Sequence, residues 1–107
     1  MEESMSQIEE KGQRVVVKPD QDIVSAMSEA FKSELLSLLN KGFKELDIDM
    51  SEIEMIDSIG LGVLIATHNS LIKTGGKLMV SHVSDEIYDL FKTMSLDRHF
   101  EVHAASK

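Results

Sequence analysis

The chain has 107 residues, 42% of them hydrophobic and 28% charged, which is the composition of one ordinary globular domain. It has no cysteine, which excludes disulfides and thiolate metal sites and fits a reducing compartment. Nineteen acidic residues against 11 basic ones give a formal net charge of −8, and the lysines and arginines are scattered along the sequence, so we expect no nucleic-acid and no anionic-membrane partner.

The N-terminal segment favours a cytoplasmic location. Residues 1–14 are acidic and lack the apolar core of a signal peptide. No stretch approaches the ~20 apolar residues that span a bilayer. We therefore expect a cytoplasmic domain over residues 5–103, with disordered tails at 1–4 and 104–107.

The first part of the chain predicts two strands joined by a tight turn. A short strand at residues 5–9 precedes a turn at Lys11-Gly12, and the β-branched run at 14–18 predicts a better strand. Pro19 ends that strand because it has no backbone N–H to contribute to the ladder.

The hydrophobic period then changes to that of a helix. Apolar residues recur every three or four positions from Ile23, and Gly42 occupies the usual position after a helix C-terminus. Asp20 and Asp22 precede this pattern and are candidate N-caps. The predicted buried face consists of Ile23, Met27, Ala30, Phe31, Leu35, Leu38 and Leu39.

Residues 46–50 alternate strictly between apolar and acidic side chains. A strand that is covered on both faces reads as a continuous apolar run, so this pattern predicts a sheet with helices on one face and water on the other. Asp47 and Asp49 resemble a carboxylate pair, but two acids on a solvated sheet face are the simpler interpretation.

Two more helices and two more strands complete the predicted order. Helices are predicted at residues 58–74 and from Ser84 onward, and strands at 77–83 and 99–103. The order β-β-α-β-α-β-α-β predicts an α/β fold with a mixed, mostly parallel sheet, helices on one face and an antiparallel first strand. The predicted buried positions are Leu61, Leu64, Ile65, His68, Leu71 and Ile72 in the second helix, and Ile87, Leu90, Phe91 and Met94 in the third.

The segment from Asp57 to Gly62 joins a predicted strand to a predicted helix. Gly60 and Gly62 each cost the helix about 1 kcal/mol relative to alanine, which favours a role in close approach to another backbone or protein surface. Ser58 falls at the helix start, where free N–H groups and the helix dipole would stabilise a phosphate. On local grounds alone, however, a plain N-cap is the simpler interpretation of Ser58.

Residues 55–64 closely resemble the signature of the STAS family, specifically the bacterial anti-sigma factor antagonists. Gly75-Gly76-Lys77-Leu78 and the apolar pattern of residues 83–96 resemble the same family, and the resemblance extends over residues 15–100. It implies the STAS fold and a partner-switching function. The unphosphorylated form would bind an anti-sigma factor that is also a serine kinase with a histidine-kinase-like ATPase fold. Phosphorylation would release that partner, and a PP2C-type phosphatase would restore binding.

The resemblance also implies a site. Ser58 matches the phosphoacceptor, Asp57 matches the residue before it, and Asp22 matches an acidic residue in the loop before the first helix. The chain departs from the family at Ile59, where serine or threonine is common, at Pro19 in the first loop, and in lacking a clear terminal helix. The implied partner-binding residues are Asp22, Asp57, Ser58, Ile59, Gly60, Leu61 and Gly62.

Three other functions are compatible with parts of the sequence. A STAS-like scaffold would bind a partner without phosphorylation. A receiver-like domain would carry an aspartyl phosphate on Asp57, but Lys77 begins a predicted strand where a receiver needs a lysine at a strand end. An enzyme is not expected because no nucleophile elbow and no P-loop is present, and we expect no cofactor and no metal.

Overall fold

Residues 6–105 form a five-stranded sheet with three helices, in the order that the sequence predicts. The computed structural model describes residues 6–105, so Met5 and the predicted tail residues 1–4 and 106–107 lie outside the described part. The strands are β1 Ser6–Lys11, β2 Arg14–Pro19, β3 Glu45–Asp49, β4 Lys77–Val83 and β5 Glu101–Ala104, and the helices are α1 Ser25–Asn40, α2 Ser58–Lys73 and α3 Asp85–Thr93.

The strands lie side by side in the order β1-β2-β3-β4-β5. β1 pairs antiparallel with β2, and every later neighbour is parallel. Each helix therefore connects two adjacent parallel strands, and each step moves in the same direction across the sheet. Right-handed crossovers that all step the same way place their helices on the same face. The predicted mixed, mostly parallel fold is confirmed.

The two faces of the sheet differ as the alternation in β3 predicts. Leu46 and Ile48 are completely buried under the helices, whereas Asp47 and Asp49 lie half-buried on the open face. Leu46 is in register with Val15 of β2 and Leu78 of β4, so the core face is apolar across the central strands. Helices on one face and water on the other are therefore confirmed.

Helix α1 begins two residues after the predicted start and has no side-chain N-cap of its own. Val24 occupies the N-cap position, so the expectation that Asp20 or Asp22 caps the helix is wrong. The Asp22 carboxylate is used elsewhere: its Oδ1 accepts hydrogen bonds from the N–H groups of Glu54 at 2.8 Å and Met55 at 3.2 Å. Asp22 thus fastens the loop before α1 to the loop before α2.

The buried face of α2 is rotated toward α1 relative to the predicted one. Val63 and Thr67 are buried, whereas Ile65 and Ile72, which were expected in the core, are 36% and 54% exposed. An apolar helix has no unique stripe in its sequence, and packing against α1 selects the face that is covered. Two further predicted core residues are exposed, namely Ala30 in α1 and Met94, which follows the last turn of α3.

The end of the chain contains an element that the sequence does not predict. A 3₁₀ turn at Leu96–Arg98 follows α3, so the last strand begins at Glu101 and His99 lies before it. The strand ends at Ala104, one residue beyond the predicted domain boundary. The register between β4 and β5 shifts between Val80 and Val83, and His82 adopts a positive φ of 55° there.

His68 of α2 is a core residue, as expected, but it is not satisfied by a hydrogen bond. It is 7% exposed and contacts the His99 and Phe100 rings edge-on, with centroid distances of 6.0 and 5.7 Å. Within residues 6–105 its Nδ1 has no hydrogen-bond partner. Burial, followed by the neighbouring His99, lowers the pKa of His68 below its usual value of 6.5.

The lowered pKa of His68 predicts how the stability of the fold depends on pH. The unfolded chain takes up a proton on His68 as the pH falls through 6.5, while the folded chain does so only at lower pH. The contribution of neutral His68 is therefore complete above pH 6.5 and is lost as the pH falls toward the folded pKa. We expect His68→Phe to flatten the decline of the urea midpoint between about pH 7.5 and 5.5. An unchanged slope in His68→Phe would contradict the assignment.

Candidate functional site

The loops that follow β2 and β3 meet at the carboxyl edge of the parallel sheet, and a short backbone bridge joins them. Ile23 and Ile56 form an isolated parallel pair. The Ile23 N–H donates to the Met55 carbonyl at 3.1 Å, and the Asp57 N–H donates to the Ile23 carbonyl at 3.2 Å. The bridge holds the first residue of α2, Ser58, at a fixed position beside the start of α1.

The Asp57 carboxylate caps two helices at once. It is the N-cap of α2, where Oδ1 accepts from the Gly60 N–H at 2.9 Å. Its other oxygen, Oδ2, accepts at 2.9 Å from the N–H of Ser25, the first residue of α1. These hydrogen bonds, with the Gly60 N–H first and the Ser25 N–H second, hold the pKa of Asp57 below its usual range. The simpler interpretation of Ser58 as the N-cap is therefore wrong.

Ser58 is exposed because Asp57 supplies the cap. Two large apolar side chains near it in sequence face solvent. Met55, three residues before Ser58, is 58% exposed, and Ile59, the next residue, is 52% exposed. Beside Ile59 a shallow groove of about 180 Å³ runs between the first two helices; we call it the α1–α2 groove. It is lined by Ser28, Glu29, Lys32, Ile59, Gly62, Val63 and Ala66. The serine thus lies at one end of an accessible, partly apolar surface.

The two glycines of the motif have different surroundings. A Cβ on Gly60 would lie 2.2 Å from the Ile23 carbonyl oxygen and 2.8 Å from the Ile23 side chain, so only glycine fits there. A Cβ on Gly62 would meet no atom within 4 Å. Close approach within the fold therefore explains Gly60, whereas Gly62 leaves a flat, open position on the outer surface of α2.

The seven predicted partner-binding residues fall into two groups. Ser58, Ile59 and Gly62 are exposed, and Ile59 and Gly62 line the α1–α2 groove. Gly60 and Leu61 are buried, and the Asp22 and Asp57 carboxylates accept hydrogen bonds from neighbouring backbone. The predicted partner-binding set did not include Met55 or the α1 side of the groove. An apolar residue directly before the motif is a signal for Met55, but no local pattern reveals which α1 residues face α2.

The fold separates the charges that are scattered along the sequence. We define the carboxyl edge as residues 18–24, 49–57 and 84–86, which contain eight carboxylates against Lys18 alone, a formal charge of −7. The amino edge comprises residues 10–14, 41–45, 73–77 and 92–98, which contain eight lysines and arginines against three carboxylates, a formal charge of +5. Ser58 lies beside the carboxyl edge, so it lies beside the more negative of the two edges.

Other candidate sites are occupied by local contacts. Asp47 accepts from the Ser81 hydroxyl at 2.8 Å, and Asp49 accepts from the Ser51 N–H at 2.9 Å, so the two acids of β3 serve the open sheet face. In residues 6–105 no three His, Cys, Asp or Glu side chains form a group that could hold a metal ion. In the same part of the chain no helix is long and apolar enough to cross a membrane.

Comparison with known proteins identifies this arrangement in one family. The model of the STAS domain matches residues 5–107. The anti-sigma-B factor antagonist of Bacillus subtilis is 29% identical over 86 residues, which are 80% of this chain and 76% of that protein. A Thermotoga maritima crystal structure has a TM-score of 0.87 at 23% identity and covers 92% of this chain and 86% of that one. The Bacillus cell fate determinant SpoIIAA in its phosphorylated form has a TM-score of 0.72 at 15% identity, with 91% and 89% of the two chains covered.

The double cap predicts how Asp57→Asn should behave. An asparagine has one carbonyl oxygen in place of two carboxylate oxygens, so one of the two helix N-termini loses its acceptor. Because the folded pKa of Asp57 is lowered, its contribution is present above the unfolded value of about 3.8 and is lost as the pH falls through the folded pKa. We expect a lower urea midpoint than wild type at pH 7 and a smaller difference near pH 3. Asp20→Asn, in the neighbouring loop, is the matched control and should leave the midpoint unchanged.

The glycines provide a second test by matched substitution. Gly60→Ala forces a methyl group against the Ile23 carbonyl and should destabilise the fold by about 3 kcal/mol. Gly62→Ala meets no atom and removes a flexible residue from a helix, so it should stabilise by about 0.5–1 kcal/mol. Urea unfolding measures both values, and equal effects at the two positions would refute the distinction.

Proposed function

We propose that this chain, which belongs to the STAS domain family, is a phosphorylation-switched protein-interaction domain of the anti-sigma factor antagonist type. The unphosphorylated form binds an anti-sigma factor that is also a serine kinase with a histidine-kinase-like ATPase fold. Phosphorylation of Ser58 releases this partner, and a PP2C-type phosphatase restores the binding form. The protein acts in the cytoplasm, where ATP and these partners are present.

The observation that carries the proposal is the exposed Ser58 hydroxyl on a helix start that another residue caps. Because Asp57 supplies the cap to α2, a phosphoryl group on Ser58 would remove no hydrogen bond on which the helix depends. The group would also lie near the positive end of the helix dipole, which favours an anion. Ser58 can therefore be modified without loss of the fold, as a reversible switch requires.

The surroundings of Ser58 support a docking role for the same surface. Met55, Ile59 and Gly62 form the accessible part, and the α1–α2 groove continues it. Asp22, Asp57, Gly60 and Leu61, the remaining members of the predicted set, hold this surface in place from within. A phosphoryl group at Ser58 would lie at the edge of this surface, where it blocks contact directly.

The test is phosphate transfer to a single side chain. The purified chain is incubated with labelled ATP and, one at a time, the histidine-kinase-like serine kinases of its source genome. We expect Ser58→Ala to abolish incorporation and Ser37→Ala, which changes another exposed serine on a helix, to leave it intact. In a pull-down, Ser58→Asp should lose the kinase that the wild type retains.

Each rival function predicts a different result in this assay. Label that is released by hydroxylamine would indicate an acyl phosphate on Asp57 and a receiver-like chemistry. Label that persists in Ser58→Ala would place the phosphoacceptor elsewhere. A kinase that binds the chain without labelling it, and binds Ser58→Asp equally well, would favour a scaffold that works without phosphorylation.

A further inference from the structure

The carboxyl edge has carboxylates that the fold itself does not use. Asp22, Asp49 and Asp57 accept backbone hydrogen bonds, and Glu52 lies 4.0 Å from Lys18. Four other carboxylates of this edge are exposed and have no hydrogen bond or ion pair within residues 6–105: Asp20, Glu54, Asp85 and Glu86. Helix N-termini stabilise nearby acids, which accounts for Asp85 and Glu86 in the first turn of α3 but not for Asp20 or Glu54 in the loops.

An apolar surface lies next to this group of acids. Met55 follows Glu54 directly, and Met55 and Ile59 are the two most exposed large apolar side chains of the site. The open position at Gly62 leaves room for a side chain to enter the α1–α2 groove beside Ile59. The groove itself is lined by one charge of each sign, Glu29 and Lys32, so the excess of negative charge lies at the carboxyl edge. Apolar side chains beside an excess of charge of one sign are typical of a docking surface with a partner of opposite charge.

We propose that the partner that docks at the carboxyl edge is a protein with an apolar side chain surrounded by lysine or arginine. The apolar side chain packs against Met55 and Ile59. The cations face Asp20, Glu54, Asp85 and Glu86. The position of this surface rests on the proposed function, whereas its chemistry rests on the charge and the exposed apolar residues of this chain. The opposite sign of the amino edge orients the chain during the approach, because a cationic partner attracts one edge and repels the other.

A second copy of this chain fits the surface less well, although its amino edge is cationic. Within residues 6–105, four of the amino-edge cations already form ion pairs: Arg14 with Glu45 at 3.2 Å, Lys77 with Glu101 at 3.0 Å, Lys41 with Glu10 at 3.9 Å and Lys11 with Glu9 at 3.9 Å. Two copies also repel each other, since each has a formal charge of −8.

The experiment uses synthetic helical peptides and the isotope-labelled chain in an NMR titration. The first peptide has leucine along one face and arginine along the other. The second keeps the arginines and has serine in place of leucine, and the third keeps the leucines and has glutamate in place of arginine. We expect only the first peptide to bind, with amide shifts centred on residues 54–62 and an affinity about tenfold lower at 0.3 M than at 0.05 M salt.

Two pairs of variants separate the contributions. The double variant Glu54→Gln/Asp85→Asn should weaken binding of the first peptide about tenfold, and Glu9→Gln/Asp97→Asn, with the same change in net charge away from the edge, should not. Ile59→Ser should also weaken binding about tenfold, whereas Ile72→Ser, at the other end of α2, should not. Equal binding of the serine peptide or of the glutamate peptide would overturn the proposal. So would shifts centred on the amino edge, or concentration-dependent shifts at both edges of the free chain, which would indicate a second copy.

The peptide result is independent of the kinase assay. A chain that binds the first peptide as described but receives no phosphate would retain the docking chemistry and lose the proposed function. A chain that is phosphorylated on Ser58 but shows no preference among the peptides would retain the function and lose this inference.

Discussion

The structure around Ser58 depends on one carboxylate that serves two helices. Asp57 accepts from the Gly60 N–H of α2 and from the Ser25 N–H of α1, so the two helix starts are held by a single side chain. The approach is possible because Gly60 has no Cβ and admits the Ile23 carbonyl. Buried backbone donors at helix ends need acceptors, and here the acceptor of one helix comes from the cap of the other. The position of Ser58 is therefore set by the hydrogen bonds between the Asp57 carboxylate and the two helix starts, and not by the Ser58 side chain.

The parts of this fold that could be predicted are those that depend on residues close together in the sequence. The alternation at residues 46–50 is local, and it correctly indicated a sheet with one open face. Gly60 correctly indicated a close approach, but its partner is Ile23, far away in the chain, and Gly62 approaches no atom within the described fold. The Asp57–Gly60 cap of α2 is local, and assigning it to Ser58 placed the helix start one residue late; the Asp57–Ser25 hydrogen bond spans 32 positions and has no local signal. Local patterns reveal an element, and only the packed sheet reveals which distant groups meet.

The separation of negative and positive charge between the two edges of the sheet also arises from how the strands and helices pack. Each loop at the carboxyl edge contributes a few acids, and each loop at the amino edge contributes a few cations, so the sequence looks evenly mixed. Parallel strands with return helices bring all loops of one kind to one edge. Helix dipoles favour this distribution, since acids lie at helix N-termini and cations at helix C-termini, as Lys73 and Lys92 do. A stabilising arrangement within the fold thus also produces a molecule with two oppositely charged edges.

This charge distribution constrains how a phosphoryl group on Ser58 can release a partner. A phosphoserine adds about −1.5 to −2 charges to an edge that already has a formal charge of −7. Because the proposed partner surface is cationic, the added negative charge would strengthen its attraction at long range. Charge repulsion therefore does not explain release. The opposing contribution would be local: a dianion next in sequence to exposed Ile59 would lose water when the apolar surface meets a partner, and dehydrating a charge costs several kcal/mol. Under the proposed function, the exposed apolar side chains near Ser58 would therefore make phosphorylation a release signal, and the acidic rim would steer the unmodified form to its partner.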